Sequence, residues 1–382
     1  MLTASLQLMK IIHTSDWHLG ISLHNASLAQ EQRHFVDFLI KAAREEKADA
    51  VIIAGDIFDH SVSSAEAISL YNYAVTTLCK DVGIPVVISA GNHDGAARLS
   101  SCSELLKKSG LHIYGKLSSG IQFTEVGNAC IYALPYFNMD EVKSLYPDEK
   151  ISNYSDAMSI VLKNIREKFK PGKINILMCH CFVSGSVLSE SDRTAMVGGS
   201  SSVPSEVFDG FDYVALGHLH KPQDRGTNIR YSGSPLKYSF SEAEHKKSIT
   251  VLEIHDSINA YEIEVTPLRE TKIIRGTYDE VLQIAQNDRS RDDYVKIEIT
   301  DVYAGMEAVE LFRTFYPNLL NITGRMNDEA ENQLTVDELY SLSPDDILRK
   351  FYREVAGDDV TTEQIELFNR ALAAIEEEEG LQ

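Results

Sequence analysis

The sequence predicts an α/β fold, a two-sheet β-sandwich flanked by helices, followed by a small α/β domain and C-terminal helices. Three observations predict it. Short apolar runs alternate with segments of helical periodicity over the first two thirds of the chain. Later segments mix apolar and polar residues as antiparallel strands do. The last segment carries apolar stripes at helical spacing.

Five short, largely apolar runs predict strands that are buried on both faces. They are 8–12, 51–54, 85–90, 174–179 and 213–216. Helices are predicted between them, because apolar side chains recur there at intervals of three and four residues. Three further segments predict antiparallel strands of a second sheet, at 229–232, 248–254 and 260–265.

Pro267 is predicted to end the first domain, which then spans 9–267. The segments that follow it alternate strand, helix, strand, helix and strand, and they predict a small domain at 268–326. A C-terminal helical segment is predicted at 334–382, where two amphipathic stripes precede a run of glutamates. The first stripe contains Ile347, Phe351 and Val355, and the second contains Ile365, Phe368, Leu372 and Ile375.

The composition is that of a folded protein. Hydrophobic residues make up 43% of the 382 residues and charged residues 24%, which excludes a mostly disordered chain. No apolar run approaches the ~20 residues that a membrane-spanning helix needs. The first residues lack the basic region of a secretory signal, and Met9 resembles a natural start. Five irregularly spaced cysteines predict reduced thiols in a cytoplasmic protein.

The net charge of −21 argues at first against a nucleic-acid partner, because non-specific DNA binding requires Lys and Arg. The charge is unevenly distributed, however, since residues 328–382 contain 16 acidic and four basic side chains. The whole-chain value is therefore a poor guide to the charge at any one site, and a nucleic-acid partner is not excluded.

Polar side chains follow each of the five buried strands. Ligands of open α/β sheets bind outside the carboxyl ends of the strands, so these side chains are expected to meet. A glycine directly precedes three of the clusters, where the backbone must turn sharply or approach another group closely. The five clusters are Asp16-Trp17-His18, Gly55-Asp56, Gly91-Asn92-His93-Asp94, His180 and Gly217-His218-Leu219-His220.

Two carboxylates, one amide oxygen and four imidazoles suit first-row divalent metals of intermediate hardness. Seven ligands are too many for one tetrahedral catalytic site, but they fit two ions ~3.5–4 Å apart that share a carboxylate. Asp56, alone on the second strand, is predicted to bridge the ions. The remaining predicted ligands are Asp16, His18 and His220 for one ion, and Asn92, His180 and His218 for the other.

Two aspartates and two divalent ions would leave the site with a charge of about +2, which favours a phosphodiester substrate. His93 is left over beside Asn92. An imidazole there can protonate the leaving oxygen or stabilise the developing charge, so His93 is predicted to be catalytic. Asp59 and Asp94 are predicted to orient histidine ligands.

A purely structural role could explain any one residue of the five clusters, but it does not explain all of them together. One histidine is more often a hydrogen-bonded structural residue than a ligand, and Asp-x-His or His-x-His alone is a weak signal. Five polar clusters at the ends of apolar strands have no packing role and favour metal binding. Cys179 and Cys181 flank His180, but strand alternation predicts that they point away from it as buried small residues.

These motifs, in this order, resemble those of the calcineurin-like metallophosphoesterases. Longer stretches resemble more specifically the SbcD family, the nuclease subunits of bacterial SbcCD complexes. The stretches are Thr14-Ser15-Asp16-Trp17-His18-Leu19-Gly20, Phe182-Val183-Ser184-Gly185, Phe211-Asp212-Tyr213 and Ser232-Gly233-Ser234-Pro235-Leu236.

The resemblance implies a nuclease of DNA repair, recombination and replication that uses two Mn²⁺ ions, with Mg²⁺ as the alternative. It implies exonuclease activity on duplex ends and endonuclease activity on single strands and hairpins. The implied partner is an SbcC-like SMC-type ATPase that binds the C-terminal helices, within a heterotetramer that contains a homodimer of this chain. The small domain resembles the capping domain of the family. The chain has no Gly-x-x-x-x-Gly-Lys-Ser/Thr loop, so any ATP dependence must come from another polypeptide.

Two other functions stay open at this level. The metal motifs alone also fit a small-molecule or cyclic-nucleotide phosphodiesterase, and a binding module that has lost catalysis is the alternative from another class. The small domain and terminal helices favour the nuclease, and the intact ligand set argues against the binding module. The DNA-contacting residues are not identified. Six cationic side chains lie near the loops that should rim the cleft: Arg33, Arg98, Arg193, Lys221, Arg225 and Lys237.

Overall fold

The computed structural model describes residues 8–120, 122–189, 191–192, 202–302, 304–324, 343–356 and 359–379. Within them the chain forms two compact units, which divide between Lys272 and Ile273. Every helix in the described ranges is too short or too polar to span a membrane.

Nineteen strands are present in the described residues. They are β1 (Met9–Thr14), β2 (Ser22–Leu23), β3 (Ala26–Ser27), β4 (Ala50–Ala54), β5 (Val86–Ser89), β6 (Leu111–Tyr114), β7 (Phe123–Val126), β8 (Ala129–Leu134), β9 (Ile174–His180), β10 (Phe182–Val183), β11 (Ser202–Val203), β12 (Tyr213–Gly217), β13 (Gln223–Asp224), β14 (Ile229–Tyr231), β15 (Ser248–Ile254), β16 (Ile258–Glu264), β17 (Thr271–Gly276), β18 (Tyr294–Ile299) and β19 (Leu319–Thr323).

The α-helices lie mainly between strands of one sheet, as expected of an α/β fold. In the described ranges they are α1 (Ala29–Glu45), α2 (Ala65–Thr76), α3 (Ala96–Leu99), α4 (Ser103–Leu106), α5 (Met139–Leu145), α6 (Tyr154–Arg166), α7 (Tyr278–Asn287), α8 (Met306–Phe315), α9 (Pro344–Ala356) and α10 (Thr362–Glu379). A π-helical segment, Thr77–Val82, continues α2.

Two six-stranded sheets build the first unit. The first sheet has the order β16-β15-β1-β4-β5-β6, and the second has the order β13-β14-β12-β9-β8-β7. The strands β1, β4, β5 and β6 run parallel in the first sheet, and β8, β9, β12 and β14 run parallel in the second. The predicted sandwich is confirmed.

An apolar layer holds the sheets together. Ile11 and Ile52 of the first sheet share one buried cluster with Ile131, Ile176 and Met178 of the second. These strands are apolar on both faces because helices cover their outer sides. Helix α6 packs on the second sheet through the cluster that contains Met158 and Leu162, and α1 buries Phe35 against Trp17. Close packing on both faces keeps the strand ends in fixed positions.

The predicted membership of the second sheet is wrong in part. Residues 248–254 and 258–264 form β15 and β16, which pair antiparallel on the β1 edge of the first sheet. Residues 229–231 do join the second sheet, where β14 runs antiparallel to β13, as predicted, but parallel to β12. Alternating polarity identifies a strand with one exposed face, but it does not specify the sheet that the strand joins.

The second unit contains the predicted strand–helix alternation. Strands β17, β18 and β19 form a three-stranded sheet in that order, and β18 runs parallel to β19. Its core contains Val281 of α7, Val295 and Ile297 of β18, and Phe312 of α8. Helices α9 and α10 occupy most of the predicted C-terminal segment. The side chains of Phe351, Val355, Leu372 and Ile375, which belong to the predicted apolar stripes, lie outside the described part of the chain.

Candidate metal centre

The carboxyl ends of strands from both sheets meet in one place. The loops after β1 and β4 are joined by backbone hydrogen bonds, from Asp16 N–H to the Gly55 carbonyl and from His18 N–H to the Asp56 carbonyl, both 3.0 Å. The loops after β1 and β12 are joined by a hydrogen bond of 2.9 Å from His218 N–H to Asp16 Oδ1. The loop after β5 reaches Asp56 through His93 N–H, and the end of β9 reaches Ala54 through the His180 ring. All seven predicted ligands therefore come from loops or strand ends that contact one another.

Backbone strain is concentrated at these positions. Eight non-glycine residues in the described ranges have a positive φ, and four of them are predicted ligands: Asp16, His18, Asp56 and His218, with φ of 53°, 41°, 50° and 102°. A left-handed conformation costs a non-glycine residue of the order of 1–3 kcal/mol and persists only where the surroundings impose it. Such strain is frequent where side chains must be aimed at a ligand.

Asp56 lies at the centre of the cluster. Its Oδ2 atom is 3.2 Å from His180 Nε2 and 3.6 Å from His18 Nε2. These two histidines come from different sheets and are predicted to bind different ions. The position of Asp56 between them is the one that a bridging carboxylate requires.

The first predicted ligand group is compact. One ligand atom from each of Asp16, His18 and His220 lies within 4.8 Å of the others, and all three residues are buried. The closest approach is 3.3 Å, between His18 Nε2 and His220 Nε2.

The second predicted group is arranged around the Asn92 side chain. Asn92 Oδ1 is 3.0 Å from His180 Nε2 and 3.2 Å from His218 Nδ1. The other ring nitrogen of His180 lies 2.9 Å from the Ala54 carbonyl oxygen. Because a carbonyl can only accept, His180 Nδ1 carries a proton and Nε2 is the atom presented to Asn92 and Asp56.

The donor set fits a pair of divalent cations. Ring nitrogens, carboxylate oxygens and an amide oxygen converge at hydrogen-bonding distance, and several of them are acceptors that face acceptors. The pair His18 and His220 illustrates this, because their Nε2 atoms lie 3.3 Å apart, while His220 Nδ1 donates to a Glu242 carboxylate oxygen at 3.1 Å. A proton on Nδ1 leaves the lone pair of Nε2 directed at His18, which is how a metal-binding histidine is prepared.

Burial and neighbouring charges shift the pKa values of four predicted ligands. Burial raises the pKa of Asp16, and the nearby Asp56 charge adds to that rise. Burial acts on Asp56 in the same direction, but the imidazoles of His180 and His18 outweigh it and lower the pKa of Asp56. Burial opposes the charged form of His180, whereas Asp56 favours it and raises the pKa of His180 to about 10. Burial, with the neighbouring His180, lowers the pKa of His218 to about 3. Metal binding at His180 would therefore release a proton.

His93 lies beside both ligand groups. Its backbone N–H donates to Asp56 Oδ1 at 2.9 Å, and its ring centroid is 4.8 Å from that of His18. His93 Nδ1 donates to the Asp59 carbonyl oxygen at 2.8 Å. The Nδ1 atom is therefore engaged, and Nε2 is the ring nitrogen that remains for a substrate.

The two predicted orienting carboxylates differ from each other. Asp59 Oδ1 lies 3.5 Å from His18 Nδ1, close to the predicted arrangement. The Asp94 carboxylate instead accepts backbone N–H groups of Ile57, Phe58 and Gly91 at 3.3, 3.0 and 2.9 Å. Asp94 therefore holds the loops that carry Asp56 and Asn92, which differs from the prediction that it orients a histidine ring.

Four residues of the site region carry no signal in the sequence. Tyr238 donates to the Trp17 carbonyl oxygen at 2.6 Å and packs edge-on against His18 and His220. Asp192, Glu242 and Lys247 are buried around His220. None of the four belongs to a strand-end motif, because each lies on a segment that reaches the site only through the fold.

Cys179 and Cys181 have the predicted placement. Both are buried in the apolar cluster between the second sheet and α6, with their sulfur atoms 3.9 Å apart.

Five of the six cationic side chains near the cleft are in the described ranges, and Arg193 is outside them. Partners within the chain occupy four of the five, because Arg33 pairs with Asp37, Arg98 donates to Ser61, Arg225 to Ser184, and Lys237 to Glu270.

Gly217 is required by close approach at the end of β12. A Cβ atom there would collide with the Ala54 carbonyl oxygen and lie 2.8 Å from His180 Nδ1, where those two groups hydrogen-bond.

We expect Gly217→Ala to lower the free energy of unfolding by about 1–3 kcal/mol, the usual cost of overpacking. Urea denaturation measures it, with Gly120→Ala as control, because a Cβ at Gly120 meets only Ser118 Oγ at 3.8 Å. Equal stability of Gly217→Ala and the wild type would contradict this contact.

Comparison with known proteins gives two family matches. Residues 9–222 match the model of the calcineurin-like phosphoesterases, and residues 266–356 match a model described as the type 5 capsule protein repressor C-terminal domain.

Proteins named as the SbcD component of the nuclease SbcCD are similar over nearly the whole chain. The one from Staphylococcus saprophyticus is 32% identical over 97% of this chain and 99% of its own length. The one from Staphylococcus epidermidis is 31% identical over 97% of this chain and 100% of its own length. A solved dimetal phosphatase from Danio rerio is 10% identical, covers 68% of this chain and 98% of its own, and superposes with a TM-score of 0.40.

Proposed function

Because the chain belongs to the calcineurin-like phosphoesterases and, within them, to the SbcD family, we propose that it is a two-metal DNA nuclease subunit. The observation that carries the proposal is the position of Asp56, whose carboxylate lies between histidines delivered by two different sheets. The relatives carry the name nuclease, and their similarity extends over both units of this chain.

The site residues have distinct proposed roles. Asp16, His18 and His220 would hold one cation, Asn92, His180 and His218 would hold the other, and Asp56 would be shared between them. Two divalent ions bound here would act as Lewis acids on the phosphoryl oxygens of the substrate. We propose Mn²⁺ as the resident metal, because the mixed nitrogen and oxygen ligands suit a metal of intermediate hardness. Mg²⁺ is the alternative that the family resemblance implies.

The protein's own groups complete the reaction. With Nδ1 bonded to the Asp59 carbonyl oxygen, His93 can hold a second proton on Nε2 and donate it to the leaving oxygen of the cleaved strand. The Asp94 carboxylate holds the loops that carry Asp56 and His93, and the Asp59 carboxylate lies beside the His18 ring. The site charge of about +2 with both ions bound attracts the phosphodiester.

The finer activities are part of the same proposal. We propose exonuclease activity on duplex ends and endonuclease activity on single strands and hairpins, in the cytoplasm, for DNA repair, recombination and replication. Residues 268–326 would act as a capping domain, and 334–382 would bind an SbcC-like SMC-type ATPase within a heterotetramer that contains two copies of this chain. Residues 266–356 match a second family model, and a minimal phosphodiesterase does not need such a domain. This match therefore supports the nuclease over the small-molecule phosphodiesterase.

A nuclease assay on the full chain tests the proposal. Linear and hairpin duplexes are incubated with Mn²⁺ or Mg²⁺, with and without the co-expressed ATPase, on protein whose bound metals have been counted. We expect two ions per chain and cleavage of both substrates. Efficient hydrolysis of bis-p-nitrophenyl phosphate without cleavage of any DNA would favour the small-molecule phosphodiesterase, and absence of bound metal would overturn the proposal.

A further inference from the structure

Three buried charged side chains converge on His220. Glu242, Lys247 and Asp192 have exposed fractions of 0%, 5% and 2%. Burying a charged group is costly unless it is paired and hydrogen-bonded, so such residues are seldom fully buried. The contacts of these three residues with His220 explain why they are placed here.

His220 is held at three separate points. Its backbone N–H donates to Asp192 Oδ1 at 3.1 Å, and its carbonyl oxygen accepts from Lys247 Nζ at 2.8 Å. Its ring Nδ1 donates to Glu242 Oε1 at 3.1 Å. Backbone and ring are therefore both fixed, and the ring cannot rotate without breaking a hydrogen bond to a buried carboxylate.

Glu242 is itself saturated with partners. Its Oε2 accepts from Lys247 Nζ at 2.5 Å, and its Oε1 also accepts from Ser191 Oγ at 2.7 Å. Lys247 in addition donates to Ser234 Oγ at 2.8 Å. The ammonium balances the carboxylate charge, so Glu242 can remain ionised although it is buried.

We propose, resting on the function proposed above, that Glu242 is the positioning residue that prepares His220 for metal binding, with Lys247 as its counter-ion. The carboxylate keeps the proton of His220 on Nδ1 and turns the lone pair of Nε2 towards His18 and Asp16. A carboxylate behind a histidine ligand fixes the ring and increases its basicity, and loss of such a partner typically weakens metal binding about 10–100-fold.

The network also connects the metal centre to a neighbouring loop. Asp192 Oδ2 accepts from Ser189 N–H at 2.7 Å, while its other oxygen holds His220. Ser191, next in the chain, donates to Glu242. Ser189 and Ser191 are thus both hydrogen-bonded to residues that hold His220.

The test compares two double variants of the full chain. Glu242→Gln with Lys247→Met removes both members of the buried pair, so that neither charge is left alone. Glu244→Gln with Lys246→Met makes the same chemical changes at two exposed residues of the same segment. Mn²⁺ binding is measured by calorimetry, Co²⁺ binding by visible absorption, and the thermal midpoint Tm in the absence of metal.

We expect the buried double variant to bind one of its two Mn²⁺ ions about 10–100-fold more weakly and to show an altered Co²⁺ spectrum. The exposed double variant should match the wild type in both. A buried double variant that is folded and binds both ions with wild-type affinity, even with a lower Tm, would overturn the inference. If that variant does not fold, Glu242→Asp keeps the charge and withdraws the carboxylate by one methylene. It should weaken the same ion by a smaller factor, and wild-type affinity would again overturn the inference.

Failure of this inference is distinguishable from failure of the proposed function. A wild-type chain that binds no divalent ion contradicts the function before any variant is compared. A wild-type chain that binds two ions and cleaves DNA, with unaltered binding in the Glu242 variants, contradicts only the positioning role.

Discussion

The Asp56→Asn variant should hydrolyse DNA at least ~10³-fold more slowly than the wild type and bind fewer than two divalent ions. The Asp56 carboxylate lies within 3.6 Å of ring nitrogens in both predicted ligand groups. The amide of asparagine keeps the shape of the carboxylate but lacks its negative charge, so the positive charge of the two ions would be less well neutralised. Metal-ion catalysis contributes several kcal/mol, and about 4 kcal/mol corresponds to a ~10³-fold change in rate.

The measurement combines metal counting with steady-state cleavage of a linear duplex. Asp49→Asn is the matched control, because Asp49 precedes the same strand β4 at its opposite end and is exposed. The prediction fails if Asp56→Asn retains two ions per chain and cuts DNA at the wild-type rate, since the shared carboxylate would then be dispensable.

The His93→Ala variant should retain both ions but lose ~10²–10⁴-fold in the rate of DNA hydrolysis, the usual contribution of a general acid. The ring lies beside the ligand groups, while its Nδ1 is engaged with the Asp59 carbonyl oxygen. The loss should be smaller on a p-nitrophenyl phosphodiester, because p-nitrophenolate is a stable leaving group that hardly needs protonation.

Metal binding, the DNA rate and the p-nitrophenyl rate are measured on the same preparations. His255→Ala serves as the control, since His255 is an exposed histidine at the far end of β15. An equal loss on both substrates would assign His93 to charge stabilisation instead of proton transfer. An unchanged DNA rate would remove it from the catalytic residues.

The strand ends were predictable because their signals are local. An apolar run of four to six residues followed by glycine and polar side chains specifies a buried strand and its exit loop, as at Gly55-Asp56 and Gly217-His218. Such a set of carboxylates and imidazoles has no packing role, and its chemistry therefore favours metal binding. The structure brings all seven predicted ligands together, and their role in binding metal remains the proposal to be tested.

Other features depend on contacts between distant segments. The sheet to which β15 and β16 belong is decided by pairing with β1, more than 200 positions away in the chain. The support of His220 by Glu242 and Lys247 is of the same kind, since neither residue has a recognisable pattern around it. Asp94 was identified as part of the site, but its hydrogen bonds to three backbone N–H groups depend on how two loops meet.

The sequence by itself determined which side chains stand at the ends of buried strands, because hydrophobic pattern and turn chemistry are properties of neighbouring residues. Only the tertiary structure decided how those ends face one another across two sheets and which buried charges hold them. Those arrangements arise from packing and hydrogen bonding between segments far apart in the chain, where a local pattern carries no information about the partner.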